Sequence, residues 1–483
     1  MVDARPGQQL PTTRSLVEQH GASPVTIQKA LRTLIAEGFV ETRVGVGAFV
    51  RAPAVVRSVD FGWQTSALGL GQSTRHRLST ALRSAPSDAI ALHAGYPEEG
   101  LLPHRLVSAA LSRAARGAGA VARAPVAGLP ELQAWFANEL SDDAGGGGRC
   151  SPNDVIILPG SQSGLSALFR TLAGPGVPVV MESPTYWGAI LAAEQVGARI
   201  IPIPTTARGP DPDELSRVFG RTGARLFYAQ PTFANPTGGK WDRRRADEIL
   251  GVVRRHGAFL VEDDWAHDFA INGGPFPLVG RDEAGQIIYL RSLTKSVSPS
   301  IRVAAMIARG PVRDRLLADL QAQAMYVSAV LQHAALDVVT QPAWQTHLRR
   351  LRHKLEVRRD LMIQAVRQHL PYAAIDTVPS GGLNIWVRLP DELDLTRLVA
   401  ECEQLGVVVA AGSEWFPAEP TGNFLRLNFS GPEPERFDEG VRLVAEAIGH
   451  QQPGLAGAWL SCNVSGPPSV VTSLGGNTTG AGE

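Results

Sequence analysis

The chain has few cysteines and no long apolar run. Its 483 residues include only Cys150, Cys402 and Cys462, without the CxxC spacing of a zinc site. An odd number of cysteines argues against a disulfide framework, so we expect a reducing compartment, the cytoplasm, and no metal. The N-terminal stretch MVDARPGQQLPTTR lacks the apolar segment of a signal peptide. No apolar run reaches the roughly 18 residues that span a bilayer, so no membrane partner is expected.

The chain also lacks an excess of charge of either sign. Lysine and arginine together number 46, and so do aspartate and glutamate. A neutral chain has no overall field that attracts nucleic acid or an anionic membrane, although a local basic patch is still possible. The hydrophobic fraction of 44% is ordinary for a soluble globular protein. At roughly 100–200 residues per domain, the length predicts two to four domains.

Residues 1–52 are predicted to form two helices and a β-ribbon. TTRSLVEQHG is a helix that ends at Gly21, and SPVTIQKALRTLIAEG is a second helix, which Ser23 can cap. The apolar residues of the second helix recur at i, i+3, i+4 and i+7: Ile27, Ala30, Leu31 and Leu34. FVETRVGVGAFV then predicts two short strands around a glycine turn. This order is typical of a winged helix-turn-helix.

The second helix of such a unit fits the major groove of double-stranded DNA, while basic and hydroxyl side chains hold the phosphates. The candidate DNA-binding residues are Arg14, Ser23, Thr26, Gln28, Lys29, Arg32 and Arg43. A solvated polar helix without a DNA partner has the same periodicity, so the pattern alone leaves both interpretations open.

The amino-acid sequence of this segment resembles that of a known family. GQQLPTTRSLVEQHGASPVTIQKALRTLIAEGFVETRVGVGAFV is similar, nearly end to end, to the DNA-binding domain of GntR regulators. The family pattern comprises an LPS-R-LA segment, an S-TV--AL--L--EG recognition helix and a G-G-FV wing. The family has a further helix before the first segment, whereas only MVDARPGQQ precedes it here. We therefore expect either a start assigned too far downstream or a shortened domain that binds DNA poorly.

The remainder of the chain divides by composition. Residues 53–87 are linker-like, with an extended stretch followed by a polar one. Within 88–450, strand-like runs such as DVIILPG, PVVMESP and AFLVEDD alternate with helix-like stretches, which predicts an α/β fold with a mostly parallel sheet. We expect a large domain over about 88–310 and a small α+β domain over about 311–450. Residues 451–483, rich in Gly, Ser, Thr and Pro, predict a disordered tail.

Lysine is scarce, and one of the four lysines lies in RSLTKSVSPSIR at 291–302. A lysine that forms a Schiff base must lose its proton readily and face a fixed aldehyde cofactor. Small hydroxyls and a bidentate arginine suit the phosphate of such a cofactor. This stretch supplies those residue types as Ser292, Thr294, Lys295 and Arg302. The S-x-x-K spacing alone is more often found in a surface loop.

Four other motifs follow predicted strands. AQPTFANPTGG offers the Asn235 amide to a phenolic oxygen. FLVEDD ends a strand with acidic residues, and a carboxylate at such a strand end can hold a pyridine nitrogen protonated. LPGSQSGL predicts a phosphate site at a helix start, and ESPTYWG places Tyr186 where its ring can stack on a cofactor. Each motif taken alone also has an ordinary structural explanation. NPTG can be a turn, the acids of FLVEDD an N-cap, GSQSG a strand–helix loop and Tyr186 a residue of the core. Their common order at strand ends indicates one site.

From about Leu92 to Gly449 the chain resembles the fold-type I aminotransferases, which implies pyridoxal 5′-phosphate as cofactor. The resemblance implies that Lys295 is the internal aldimine lysine, that Asp263 pairs with the pyridine nitrogen and that Asn235 bonds the ring hydroxyl. It implies that Tyr186 stacks on the ring. The phosphate-binding residues would be Ser161, Gln162, Ser292 and Arg302. Arg426, in NFLRLNFS, matches the arginine that binds the substrate α-carboxylate.

Two positions depart from the family. The EDDY of related regulators is EDDW here, so Trp265 replaces a tyrosine that helps to hold the cofactor hydroxyl. Arg123 stands where a tyrosine usually reaches the phosphate of the partner subunit. Both changes suggest retained cofactor binding with altered chemistry.

A GntR-type unit joined to an aminotransferase-like body resembles the MocR/GabR-type regulators. This implies a homodimeric, pyridoxal-phosphate-dependent transcriptional regulator that senses an amine, an amino acid or the cofactor itself. An active aminotransferase with a vestigial DNA-binding unit is the alternative. A regulator that responds to pyridoxal phosphate alone is a third interpretation.

Overall fold

The computed structural model describes residues 5–51, 64, 79–143 and 150–452. The chain divides into two compact units, one within residues 1–75 and the other within residues 76–483, here called the head and the body. Apart from Gln64, the predicted linker lies outside the described residues as far as residue 78. The predicted tail does so from residue 453 onward.

The head consists of two helices and a hairpin. Its elements are α1 (Thr13–His20), α2 (Pro24–Ala36), β1 (Val40–Arg43) and β2 (Gly47–Val50), with β1 antiparallel to β2. The Ser23 side chain accepts a hydrogen bond from the Thr26 backbone N–H and so caps α2. Gly21 ends α1 at a φ of 60°, a left-handed conformation that glycine adopts without strain. The predicted winged helix-turn-helix is confirmed.

The core of the head is small. Ile27 is buried together with Val40 and Phe49 of the hairpin. Leu31 and Leu34 are only half-buried, and Ala30 is exposed, so the predicted apolar face of α2 is partly wrong. The reason is that one short helix and one hairpin cover only part of that face.

The large domain of the body contains an eight-stranded sheet in the order β4-β11-β10-β9-β8-β5-β6-β7. The strands are β4 (Val155–Leu158), β5 (Pro178–Ser183), β6 (Arg199–Thr206), β7 (Gly209–Pro210), β8 (Leu226–Ala229), β9 (Phe259–Asp264), β10 (Ile287–Ser292) and β11 (Ala304–Ile307). β11 is antiparallel to both of its neighbours and β7 to β6, while the central pairs are parallel. The predicted mostly parallel sheet is confirmed.

Helices pack on both faces of this sheet, and for that reason its central strands begin with apolar runs, while their carboxyl ends carry polar residues. The helices are α3 (His104–Ala114), α4 (Pro130–Asp143), α5 (Ser161–Leu172), α6 (Trp187–Gln195), α7 (Pro212–Thr222), α8 (Arg243–Arg255), α9 (Pro311–Ala324) and α10 (Ala329–Thr340). All residues of β4, β8 and β10 are buried. Two clusters of apolar side chains occupy the large domain.

The small domain includes most of the buried side chains of the long helix α11 (Pro342–His369), whereas α9 and α10, which the sequence predicted within this domain, pack in the clusters of the large domain. Its remaining elements, with β3 from the start of the body, are β3 (Ile90–Ala91), β12 (Asn384–Leu389), α12 (Leu395–Gln404), β13 (Val407–Val408), β14 (Ala410–Ala411), β15 (Asn423–Asn428) and α13 (Phe437–Gln451). β3 pairs in parallel with β13, so the start of the body contributes to the small-domain core. Within the described residues, no helix is long and apolar enough to cross a membrane.

Candidate functional site

A cleft lies beyond the carboxyl ends of the parallel strands, where ligands of open α/β sheets bind. About 490 Å³ of space without protein atoms lies in this cleft, and this volume includes open solvent. All eight residues predicted from the sequence to hold a cofactor line it: Ser161, Gln162, Tyr186, Asn235, Asp263, Ser292, Lys295 and Arg302. Thr294 and Trp265 also face this cleft.

Lys295 follows β10 and points into the cleft. Its Nζ lies 4.3 Å from the centroid of the Trp265 ring. Removal from bulk water and the charge of Arg426 lower the pKa of Lys295 to about 8, and the carboxylate of Asp263 opposes this shift. Lys295 therefore loses its proton more readily than an exposed lysine, and its neutral amine is the nucleophilic form.

Asp263 is the last residue but one of β9 and is held by two side chains of the neighbouring strand β8 and its extension. Its Oδ2 accepts hydrogen bonds from the Tyr228 hydroxyl at 2.6 Å and from Gln230 Nε2 at 2.9 Å. Its Oδ1 is buried and has no hydrogen-bond partner among the described residues. Burial raises the pKa of Asp263, while the two hydrogen bonds and Lys295 lower it. One oxygen is thus available to accept a proton or an N–H from a ligand.

The start of α5 forms an anion-binding corner. Gly160 precedes α5 at a φ of 101°, and no side chain caps the helix there. The Arg302 guanidinium lies beside it and donates to the Pro159 carbonyl at 3.3 Å. A Cβ at position 160 would lie 2.6 Å from Arg302 Nη2, so this approach requires glycine. Open backbone N–H groups beside a guanidinium suit a phosphate.

Two hydroxyls near this corner, those of Ser292 and Thr294, differ in their hydrogen bonds. Ser292 Oγ accepts a hydrogen bond from the Thr294 N–H at 3.1 Å. The buried Thr294 Oγ1 has no partner within the part of the chain that the structure describes. Gln162 Nε2 donates to the Gly188 carbonyl at 2.7 Å, and the Tyr186 hydroxyl donates to Gln162 Oε1 at 3.3 Å. The amide oxygen of Gln162 therefore orients the Tyr186 hydroxyl, while its amide nitrogen is fixed by the Gly188 carbonyl.

Arg426 lies behind the cleft and does not line it. Its Nε donates to Asn235 Oδ1 at 3.1 Å, and its Nη1 donates to the carbonyls of His93 and Ala94 at 3.1 and 3.3 Å. Burial lowers the pKa of Arg426 to about 10. Because Asn235 Oδ1 accepts from Arg426, the Nδ2 of the same amide is left to donate into the cleft.

Some residues of the site were missed by sequence reasoning. Tyr228 and Gln230 hold Asp263, and Tyr96 joins the lining from a loop far away in the sequence. Two polar side chains spaced by two residues in the apolar run LFYAQ lie on one face of a strand, and this spacing was a usable signal. No comparable signal marks Tyr96.

The two departures from the family pattern have different surroundings. Trp265 Nε1 donates to the Phe233 carbonyl at 2.9 Å, so its N–H is already engaged and its ring face is turned to Lys295. Arg123 is exposed and does not line the cleft of its own chain.

The candidate DNA-binding side chains of the head differ in their pairing. Arg14 forms an ion pair with Glu18 at 3.5 Å, and Arg43 with Glu41 at 2.8 Å. Ser23 and Thr26 are engaged in capping α2. The other three candidates, Gln28, Lys29 and Arg32, are exposed. Among the described residues, Lys29 and Arg32 form no ion pair with a carboxylate.

Two family descriptions match the chain. The description "Aminotransferase class I and II" matches residues 95–444. The chain belongs to this family. The description "Bacterial regulatory proteins, gntR family" matches residues 3–50, which is the head. The predicted combination of a GntR-type winged helix-turn-helix with a fold-type I aminotransferase body is therefore confirmed.

Curated relatives include regulators with both units. The probable rhizopine catabolism regulatory protein MocR of Rhizobium meliloti is 28% identical over 445 residues, covering 91% of this chain and 89% of that protein. A 2-aminoadipate transaminase of Thermus thermophilus is 29% identical over 360 residues, covering 73% of this chain and 88% of that enzyme.

A solved structure resembles the body. LysN, an α-aminoadipate aminotransferase of Thermus thermophilus, matches with a TM-score of 0.73 and 26% identity, covering 80% of this chain and 98% of that one. That crystal structure contains N-(5′-phosphopyridoxyl)-L-leucine. The class I and II fold therefore implies use of pyridoxal phosphate, and the MocR-type arrangement of the two units fits a regulator.

Proposed function

We propose that the protein is a transcriptional regulator whose body binds pyridoxal phosphate in the cleft and whose DNA affinity depends on an amine or amino acid bound there. The observation that carries this proposal is the union in one chain of a GntR-type head and a cleft lined by Lys295 and Asp263, with Arg426 bonded to the lining residue Asn235. An enzyme alone would not need the head, and a plain DNA-binding protein would not need the cleft.

The donors of the cleft fit this cofactor. The unpartnered Asp263 Oδ1 suits a protonated pyridine nitrogen, and the unpartnered Thr294 Oγ1 suits a phosphate beside Arg302. When bound, pyridoxal phosphate supplies an aldehyde for covalent attachment of amines and an electron-withdrawing ring. Lys295 provides the neutral amine for attachment, and Asn235 Nδ2 donates to the ring oxygen.

Arg426 is proposed to bind the carboxylate of an amino-acid effector. A planar guanidinium binds a carboxylate in a bidentate way, and burial strengthens the interaction. We further propose that the body acts as a homodimer, as the family resemblance implies. Exposed apolar side chains of the body, Val121, Met325 and Tyr326, are available for contact with a second copy.

The proposal is tested by measuring the absorbance spectrum and the DNA affinity of the full chain in parallel. A visible band should appear on addition of pyridoxal phosphate, and DNA affinity should change when an amino-acid conjugate of the cofactor occupies the cleft. A loaded cleft without any effect on DNA affinity would contradict the regulatory function.

An active aminotransferase is the second candidate, and the complete set of Lys295, Asp263 and Arg426 favours it. Single-turnover mixing with amino acids distinguishes the two, because only an enzyme releases a keto acid in step with loss of the visible band. The engaged N–H of Trp265, where the family has a tyrosine hydroxyl, favours the regulator.

The lowered pKa of Lys295 predicts how cofactor attachment depends on pH. The neutral amine is the reactive form, so the attachment rate should rise about tenfold per pH unit below pH 8 and level off above it. The measurement is the initial rate of band appearance after mixing cofactor-free protein with pyridoxal phosphate between pH 6 and 10. A rate that still climbs tenfold per unit up to pH 10 would show an unperturbed lysine.

Arg32→Ala is expected to weaken DNA binding by the head. If Arg32 contacts a phosphate, its loss lowers affinity on all sequences and reduces the slope of log affinity against log salt by about 1. Fluorescence anisotropy with labelled duplex at several salt concentrations measures both effects. Arg315→Ala, on the body surface, is the matched control and should bind DNA like the parent. A changed cofactor band in Arg32→Ala would contradict separate roles for head and body.

A further inference from the structure

The segment Ser79–Arg83 is fastened to the small domain where the described body begins. Thr80–Leu82 form a 3-10 helix. Ser79 caps this helix by accepting from the Ala81 N–H, and Glu414 accepts hydrogen bonds from Ser79 and Thr80. Glu414 Oε2 accepts from Ser79 Oγ at 2.6 Å, and Oε1 accepts from Thr80 Oγ1 at 2.6 Å and from the Thr80 N–H at 3.1 Å. We call residues 79–83 the anchor segment, because the chain from the head leads into it.

Apolar and backbone contacts complete this attachment. Ala81 is buried in a cluster with Trp386, Trp415 and Phe424. The Ala81 carbonyl accepts a hydrogen bond from the Gly95 N–H at 3.0 Å. His93 Nε2 lies 2.9 Å from the Arg83 carbonyl. The anchor segment is thus held by the 3-10 helix Gly412–Trp415 on one side and by residues 93–95 on the other.

The same two elements hold Arg426. The Trp415 ring, adjacent to Glu414 in the chain, lies 5.2 Å from the Arg426 guanidinium carbon. The carbonyls of His93 and Ala94 accept hydrogen bonds from Arg426 Nη1. Two short paths of direct contacts therefore join Arg426 to the anchor segment.

A simple helix cap does not account for this arrangement. One acceptor is enough to cap a short helix, and capping residues are usually local in sequence. Glu414 lies 335 residues from Ser79 in the sequence and uses both carboxylate oxygens. It also supplies negative charge near the buried Arg426 and opposes the lowering of the Arg426 pKa by burial.

We propose that the anchor segment transmits occupancy of Arg426 by an effector carboxylate to the chain that leads to the head, with Glu414 as the positioning residue. A carboxylate that reaches Arg426 supplies a new counter-charge and competes for the N–H groups now given to His93 and Ala94. Both changes act on the elements that grip residues 79–83. This inference rests on the proposed function and names its connecting part.

The experiment uses two probes that differ only in the carboxylate. N-(5′-phosphopyridoxyl)-L-leucine carries it, and N-(5′-phosphopyridoxyl)-3-methylbutylamine, its decarboxylated counterpart, does not. Amide hydrogen exchange at Thr80 and Gly95 reports the anchor segment, and anisotropy with labelled DNA reports the head. In the full parent chain, we expect the two probes to differ by about fivefold or more in both measurements, a common size for coupling between sites.

The double variant Ser79→Ala/Thr80→Val removes both hydroxyls of the anchor segment and leaves the charge near Arg426 unchanged. It should bind both probes, yet the difference in DNA affinity between them should fall below about twofold. Glu414→Gln tests the same contact from the other side. Glu446→Gln is the matched control, because Glu446 forms an exposed ion pair with Arg442 at 3.4 Å and does not contact the anchor segment. It should behave like the parent.

The outcomes separate the two levels of the argument. If neither bound probe changes the DNA affinity of the parent chain, both the proposed function and this inference are overturned. A parent that responds, with an equal response in the double variant, would overturn the anchor alone. Equal effects of the two probes on the Thr80 and Gly95 amides would also overturn it, because Arg426 would then not be the input.

Discussion

Replacing Lys295 with alanine is expected to abolish the visible absorbance band of the bound cofactor while the body stays folded. Attachment needs a primary amine in the cleft, and Lys295 is the lysine that lines it. The loss should be complete, since the remaining donors bind the cofactor without attaching it. An absorbance titration with pyridoxal phosphate measures the effect.

Folding should not suffer from this change. The pKa of Lys295 falls from 10.5 to about 8 in the folded protein, so folding is disfavoured by its charge. That penalty is fully present below pH 8 and disappears as the pH rises toward 10.5. Near pH 7 the variant should therefore melt no lower than the parent. Lys240→Ala is the control, because Lys240 Nζ bonds the Gly274 carbonyl outside the cleft lining. A band retained in Lys295→Ala would refute the assignment.

Asp263→Asn is expected to cause a large loss of affinity for the cofactor. The buried carboxylate faces the cleft with Oδ1, and asparagine cannot supply its charge to a protonated ring nitrogen. Removing one partner of a buried charge pair costs about 2–5 kcal/mol, which is about thirty- to four-thousand-fold in affinity. Equilibrium titration followed by absorbance gives the dissociation constant.

A graded companion variant strengthens that experiment. Tyr228→Phe removes one of the two hydrogen bonds that orient Asp263 and leaves the carboxylate in place. Its loss of affinity should be clearly smaller than that of Asp263→Asn. Circular dichroism must show that both variants are folded. An Asp263→Asn protein with the parent's dissociation constant would contradict the role given to this residue.

The architecture was predictable where local pattern and tertiary structure agree. Parallel strands buried on both faces carry continuous apolar runs, and LFYA is entirely buried in the sheet. The carboxyl ends of such strands meet at one edge, so motifs placed after them converge in space. That is why Asp263 and Lys295, from neighbouring strands, face one cleft.

Contacts between distant segments were not predictable in this way. The hydrogen bonds from Ser79 and Thr80 to Glu414 correspond to no periodic pattern in the sequence. Each of these residues has the local sequence of an ordinary surface position. The same holds for Tyr96. In the described head, the apolar residues of α2 recur along one face. Of these residues, Ile27 is buried, Leu31 and Leu34 are half-buried and Ala30 is exposed. Periodicity predicts which face can be buried, and only packing decides how much of it is.

The hydrogen bond between Arg426 Nε and Asn235 Oδ1 connects the proposed carboxylate-binding group to the amide that we propose faces the cofactor ring. An occupant that draws the guanidinium toward itself also changes how strongly Asn235 polarises the ring oxygen. The colour of the loaded protein should therefore shift with ligand occupancy even when no bond is made or broken. The molecule would carry its own optical indicator, and candidate effectors can be ranked by spectral titration before any operator sequence is known.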